Sequence, residues 1–293
     1  MAAETGPWRD HRFWLELFVV ANLGGLAPDI FLAHSMNRFR DGMEFIPLAL
    51  SLASPLVLVP GLIAFHRGAF RAWRRWGLLV GWTAVIVGVA GLLLHLESQF
   101  FQERTLASLV YAAPFAAPLA YTGLGLLLIM NRMLAPTTPE WAGWVVLLAL
   151  GGFVGNFVFS LTDHAQNDFF YRTEWIPVMA AALAVGTLSV LLFRPVGTGY
   201  LRFCVGVLAL QAVVGVIGFG LHLAADLARG PGSVFDRVVY GAPAFAPLLF
   251  PDLAALAGIG LWAFARRLQP ARADAPSRSP DSPLRTASGH HAL

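Results

Sequence analysis

The chain contains no lysine; all 20 of its basic residues are arginine, and charged residues of both signs make up only 13% of its 293 residues. Soluble domains carry about a quarter charged residues, so two water-soluble domains, which the length alone would allow, are excluded. A single cysteine, Cys204, excludes an intrachain disulfide and any cysteine-cluster metal site. The chain has no Gly-x-Ser-x-Gly, no phosphate loop, and no His-x-x-x-His or Glu-x-x-His within one helix. Those absences remove the hydrolase-like and ferritin-like signatures. The net charge is only +3, and no basic run interleaves with aromatics away from the apolar segments. Nucleic acid is therefore not an expected partner.

Long apolar runs take the place of what is missing. Apolar residues make up 57% of the chain and mean hydropathy is +0.65. Runs of bilayer length fall at 13–34, 45–65, 77–97, 105–130, 141–162, 174–193, 203–224 and 238–264. A crossing helix needs about 20 such residues, and only a helix or a closed barrel satisfies every backbone group in lipid. The runs are too long and too continuously apolar for barrel strands. The expected fold is an all-α polytopic bundle of eight transmembrane helices in the bilayer. The first run begins on a polar stretch, Trp8-Arg9-Asp10-His11-Arg12, and lacks a small-residue cleavage site, so it is expected to stay as a span.

Arginine placement gives the expected orientation. The segments before span 1 and after spans 2, 4, 6 and 8 hold 14 arginines, and the other loops hold six. Positive residues favour the cytoplasmic side, so both termini are expected there, in a bacterial-type inner membrane. The expected organisation is an N-terminus over 1–12, a first membrane half over 13–135, a second over 136–267, and a disordered tail rich in Pro, Ser, Ala and Arg over 268–293.

The two halves repeat each other. His34-Ser-Met-Asn37-Arg-Phe39 matches His164-Ala-Gln-Asn167-Asp-Phe169, and Glu44-Phe-Ile-Pro47 matches Glu174-Trp-Ile-Pro177, both at an offset of 130. Tyr111-Ala-Ala-Pro114-Phe-Ala-Ala-Pro118 matches Tyr240-Gly-Ala-Pro243-Ala-Phe-Ala-Pro247 at 129, and His95 matches His222 at 127. Each half holds an even number of spans, so the halves should be parallel, related by an axis along the membrane normal. A finer repeat of four hairpins follows the pattern of a histidine ending each odd span and Glu or Tyr, then x-x-Pro, opening each even span.

This places His34, His95, His164, His222, Glu44, Glu174, Tyr111 and Tyr240 in a narrow band on the outer side. Ionisable groups in membrane spans usually face the interior and mark function. The plainer alternative for any one histidine is a favourable charge at a helix C-terminus, and for the prolines a fixed first turn. Four chemistries fit the set. The imidazoles can ligate haem. Imidazole with carboxylate suits a transition metal. The four histidines are thus the candidate cofactor and metal ligands. Glu44, Glu174, Tyr111 and Tyr240 are the candidate catalytic groups, able to take protons from a quinol or another respiratory-chain component. The same groups suit a proton-coupled transporter of a small solute or metal ion. A non-catalytic scaffold is the remaining reading.

The plan is similar to that of the haem A synthases, which have eight spans in duplicated four-helix halves with two histidines per half on the outer side. That resemblance is one of architecture. In this chain the histidines end odd spans, whereas in that family they belong to even ones, and the family's outer-loop cysteine pair is missing.

Two further carboxylates follow prolines: Asp29 after Pro28, and Asp252 after Pro251 in the predicted middle of span 8. Either eases a local kink or belongs to a proton relay. Gly24, Gly25, Gly151, Gly152 and Gly155 are expected at close helix packing.

Overall fold

The computed structural model describes residues 10–98, 100–111 and 114–268, and helices are the only regular elements among these described residues. The helices are α1 (His11–Ser35), α2 (Phe45–His66), α3 (Phe70–Ser98), α4 (Phe100–Glu103), α5 (Leu106–Tyr111), α6 (Leu119–Met133), α7 (Pro139–Ala165), α8 (Trp175–Phe193), α9 (Thr198–Leu227), α10 (Val234–Val239) and α11 (Leu249–Leu268). The segment before residue 10 and the predicted tail beyond Leu268 lie outside the described residues. Seven helical segments are long and apolar enough to cross a bilayer; α6, with 15 residues, is apolar but shorter. Large apolar side chains face outward around the bundle, among them Leu52, Leu56, Ile86, Val216 and Leu221. An exposed apolar belt of that extent calls for lipid, not water.

The helices pack in two groups of four. In the first, α1 lies against α2 and α6, and α3 lies against α2 and α6. In the second, α7 lies against α8 and α11, and α9 lies against α8 and α11. The groups meet through α1 with α11 and α6 with α7. The most buried faces belong to α1, with Leu15, Val19 and Leu23, and to α7, with Trp141, Val145, Ala149 and Phe153. Both are stripes at i, i+4 spacing, which place side chains on one face of a helix. The histidines that end α1, α3, α7 and α9 gather at one end of the bundle. Gln166, just past α7, donates to the Val110 carbonyl of α5 there at 2.7 Å. Arg12, Arg132 and Arg266 mark the opposite end.

The fourth and last long helices begin later than hydropathy suggests. The apolar runs predicted as spans at 105–130 and 238–264 are broken, and the helices start at Leu119 and Leu249. Pro114 and Pro118 break the first run, and Pro243 and Pro247 the second. Proline lacks the N–H a helix interior needs and disfavours helical backbone before it. Tyr111 therefore ends the short α5, and Tyr240 caps the short α10; neither lies inside a long helix. Asp252 likewise falls in the first turn of α11, not mid-span. Pro251 sits in that same turn, where a proline kinks nothing. Asp252 accepts from Asn22 Nδ2 of α1 at 2.8 Å and so ties the two groups together.

At the arginine end lies a charge pair the sequence reading missed. Arg132 and Glu16 form a bidentate pair, with both N···O distances 2.5 Å and both side chains almost wholly buried. Asn131 also donates to Glu16 at 3.2 Å and accepts from the Trp141 indole at 3.2 Å. The Arg132 guanidinium lies 3.8 Å above the Trp73 ring and donates to the Trp73 carbonyl. Elements α1, α3, α6 and α7 thus converge on one carboxylate. Gly77 makes the space: a Cβ there would meet Arg132 Nε at 2.1 Å.

Of the five glycines expected at close packing, Gly24 approaches Pro55 and Gly152 meets Leu253, while a Cβ at Gly25, Gly151 or Gly155 would meet nothing within 4 Å. The tight crossings are between α3 and α6 and between α9 and α11. A Cβ on Gly88 would meet Pro118 O at 2.8 Å, and one on Gly215 would meet Pro247 O at 2.6 Å. Backbone atoms cannot yield, so the second proline of each Pro-x-x-x-Pro seats against a glycine of the preceding long helix.

Removing one partner of a buried pair strands the other charge, at a cost of about 3–5 kcal/mol. Arg132→Met is expected to lower the melting temperature in detergent sharply, and the double variant Glu16→Gln/Arg132→Met to recover much of the loss. Gly215→Ala is expected to destabilise by about 1–3 kcal/mol, whereas Gly186→Ala, where a Cβ meets nothing within 4 Å, should be neutral. Thermal unfolding followed by circular dichroism checks both.

Candidate functional site

The turn that carries the first histidine is built by its own sequence. His34 lies in the last turn of α1. Arg38 and Phe39 then take left-handed backbone, with φ of 62° and 50°. For residues with a side chain this costs about 1–2 kcal/mol each, so local contacts must hold it. The Phe39 N–H donates to the His34 carbonyl at 3.1 Å, and the Phe39 ring stacks on Phe45 at 4.6 Å. Asp41 caps a 3-10 turn over Gly42–Glu44, and Glu44 accepts in return from the Asp41 N–H, forming a capping box. Asn37 Nδ2 donates to Glu44 Oε1 at 2.8 Å. Glu44 Oε2 is thereby aimed at His34 Nδ1, 3.3 Å away.

The turn recurs in the second group without the capping box, since Tyr171 stands where Asp41 does and makes no side-chain cap. Asp168 and Phe169 are left-handed, with φ of 57° and 52°, and the Phe169 N–H donates to the His164 carbonyl at 3.0 Å. Phe169 stacks on Trp175 at 4.0 Å. Asn167 Nδ2 donates to Glu174 Oε1 at 3.1 Å, and Glu174 Oε2 lies 3.8 Å from His164 Nδ1. The shared His-x-x-Asn-x-Phe pattern therefore has a physical reading: the asparagine aims the glutamate and the phenylalanine locks the turn. In both places the Oε2 atom is buried with no hydrogen-bond donor beyond the imidazole beside it.

The other histidines are held differently. His95 Nδ1 lies 3.1 Å from the Pro114 carbonyl, and His222 Nδ1 lies 3.1 Å from the Pro243 carbonyl. A carbonyl only accepts, so each Nδ1 carries the hydrogen and each ring lone pair sits on Nε2. Each proline-broken helix start thus supplies a carbonyl, and a histidine of the neighbouring long helix takes it.

The structure brings His34, His95 and Glu44 together, and separately His164, His222 and Glu174. The ring centroids of His34 and His95 are 6.3 Å apart, and those of His164 and His222 are 6.5 Å apart, both edge-on. Among the described residues no ring contact joins one pair to the other. The Tyr111 side chain lies outside the described residues. Tyr240 is about half exposed, and its carbonyl accepts from Arg229. Asp29 is an exposed residue of α1, electrostatically coupled to Tyr121. Among the described residues no three His, Cys, Asp or Glu side chains are placed to hold a metal ion together.

Two residues that shape the second site escaped the sequence reading. Asp226 is fully buried, and its Oδ1 accepts from the Ala242 N–H at 2.7 Å. It clamps the strip that presents Pro243 to His222. Gly241 allows this: a Cβ there would meet Asp226 Oδ1 at 2.0 Å and Arg237 O at 2.4 Å. The available signal was an aspartate one helical turn beyond His222 in an apolar run. Asp163, beside His164, is electrostatically coupled to His222 and has no counterpart in the first group, where alanine stands at position 33.

Comparison with family models, with curated proteins and with solved structures finds no match to this chain.

Asp226→Ala leaves the partly buried Ala242 N–H without its acceptor and is expected to cost about 1 kcal/mol. Gly241→Ala should do at least as much harm, since neither atom it meets can move away cheaply. Thermal unfolding of both variants measures this, and a loss in neither would remove the clamp.

Proposed function

We propose that this is an inner-membrane protein of eight crossings, built as two parallel four-helix copies, with a His–His–Glu site at the outer end of each copy that binds haem or a transition metal for redox chemistry. In this reading α6 completes its crossing with the non-helical Pro114–Pro118 stretch before it. Both termini are cytoplasmic, as the arginine bias favours.

The observation that carries the reading is what the repeat histidines face at Nδ1: His95 and His222 each hydrogen-bond a proline carbonyl, and His34 and His164 lie 3.3 and 3.8 Å from a glutamate oxygen. Histidines that ligate metals almost always donate their other ring N–H to a carboxylate or a backbone carbonyl. Here Glu44 and Glu174 supply the carboxylates, and Pro114 and Pro243 the carbonyls. Each site offers two imidazoles. A bare zinc-like ion asks for three or four protein ligands, whereas haem would need no more than two, which His34 with His95 and His164 with His222 could supply. The two rings of each pair lie 6.3 and 6.5 Å apart, centroid to centroid, so both could serve one bound centre. Haem is therefore the better fit. The Oε2 atoms of Glu44 and Glu174 face only the neighbouring imidazole, so each His–Glu pair is suited to take up a proton from a quinol or similar donor. Tyr111 and Tyr240 flank the carbonyl strips and would orient that donor.

The rival reading is a proton-coupled transporter of a small solute or metal ion. It is favoured by one observation, the Asp252–Asn22 bond inside the bundle where the two groups meet.

The purified protein is expected to show a Soret band and bound iron. His95→Ala and His222→Ala should each remove about half of it, and the double variant all of it, if each pair holds one centre. A colourless protein free of iron, copper and zinc by elemental analysis would sink the proposal. Substrate-driven proton uptake into vesicles by such a protein, lost in Asp252→Asn, would establish the transporter in its place.

A further inference from the structure

The first helix group carries a second feature, at the end of the bundle away from the histidines. The α2–α3 turn and the start of α3 hold Arg67, Arg71, Arg74 and Arg75, all exposed. Arg71, Arg75 and Leu79 follow one another at i, i+4 and i+8, so they form a single stripe down α3. That stripe reads cation, cation, apolar over about 12 Å. A shallow depression is lined by it, together with Ala72 and the half-exposed Trp76.

A second depression adjoins the first and shares Ala72 and Trp76 with it. Its other wall is the face of α2 made by Leu56, Val57, Pro60, Gly61 and Ala64. The two together form one groove between α2 and α3. Its mouth is basic and its floor is apolar, with small residues leaving the room. Among the described residues, neither part is lined by an acidic side chain. The groove opens outward, where the exposed Leu56 and Leu79 mark contact with lipid.

We propose that this groove binds one phospholipid with an anionic headgroup. Arg71 and Arg75 take the phosphate, Trp76 lies at the ester level, and an acyl chain follows the α2 face down past Leu56. Charge order decides the occupant. A cation pair directly above an apolar trough matches a headgroup attached to a chain, and it matches neither a free anion nor a peptide as well. Basic pockets between transmembrane helices recognise lipid headgroups in this manner. The arrangement belongs to the first group alone, since the corresponding start of α9 carries only Arg202. The inference stands independently of the redox proposal.

The test reconstitutes the protein in phosphatidylcholine vesicles containing a minor fraction of phosphatidylglycerol brominated on its acyl chain. Bromine quenches only adjacent indoles. The Trp76 signal is read as the difference between the protein and Trp76→Phe, because the chain has nine tryptophans. Brominated phosphatidylglycerol is expected to quench Trp76 at a lower mole fraction than brominated phosphatidylcholine. Arg71→Gln and Arg75→Gln should each raise the fraction needed by about 5-fold, and together by about 30-fold. Lysine at both positions should retain most of the preference, and Arg202→Gln should leave it unchanged. Equal quenching by the two lipids would overturn the proposal. So would a preference that survives the double glutamine variant, or one that Arg202→Gln reduces as much.

Discussion

Prolines at the start of the fourth and last apolar helical segments hold Pro114 and Pro243 in turns, where each carbonyl accepts the N–H three residues on, that of Ala117 or Ala246, and keeps a second lone pair for another donor. That second lone pair is where two of the histidines are tied in. His95 and His222 reach across from the neighbouring helices to Pro114 and Pro243, and doing so fixes each ring's tautomer and orientation. The second proline of each strip seats against Gly88 or Gly215, so the strip is fastened to the helix that carries the histidine. The histidine of the hairpin beside it meets the ring edge-on, with its own Nδ1 turned to a glutamate. One proline strip thus sets both a ring's orientation and a close helix contact, and the arrangement is used twice.

The other end of the bundle is organised by charge. Glu16 receives both arms of Arg132 and a hydrogen bond from Asn131, and Trp73 covers the guanidinium. A pair this well hydrogen-bonded can persist where a lone charge cannot. It draws α1, α3, α6 and α7 to a point, and through Trp141 it reaches the second helix group. The two ends thus use different means: prolines and imidazoles at one, a desolvated ion pair at the other.

Much of this was legible in the sequence. Long continuous apolar runs give helices, and the helical, multi-pass character follows from hydropathy alone. The histidines and glutamates stood out because polar residues recur at a fixed offset in an apolar frame. Other features were not legible, for definite reasons. Hydropathy does not register a missing N–H, so apolar strips around Pro114–Pro118 and Pro243–Pro247 read as helix. Asn37 and Asn167 were visible as repeated letters, but aiming a carboxylate is a three-dimensional role. Arg132 looked like one more flanking arginine because its partner lies 116 residues earlier. Asp226 acts on Ala242, which no helical periodicity connects to it.

The separation of Glu16 from Arg132 also bears on how the chain is assembled. The first helix emerges with a carboxylate whose counter-charge is synthesised 116 residues later, at the end of the fourth apolar segment. Until then α1 carries an unpaired carboxylate, which is costly in hydrocarbon. Arrival of α6 neutralises it, and Asn131 beside Arg132 then offers its side-chain oxygen to the first turn of α7. The carboxylate of the first helix is thus neutralised only once the whole first four-helix group is present, and the buried pair makes that group the smallest unit in which α1 carries no lone charge.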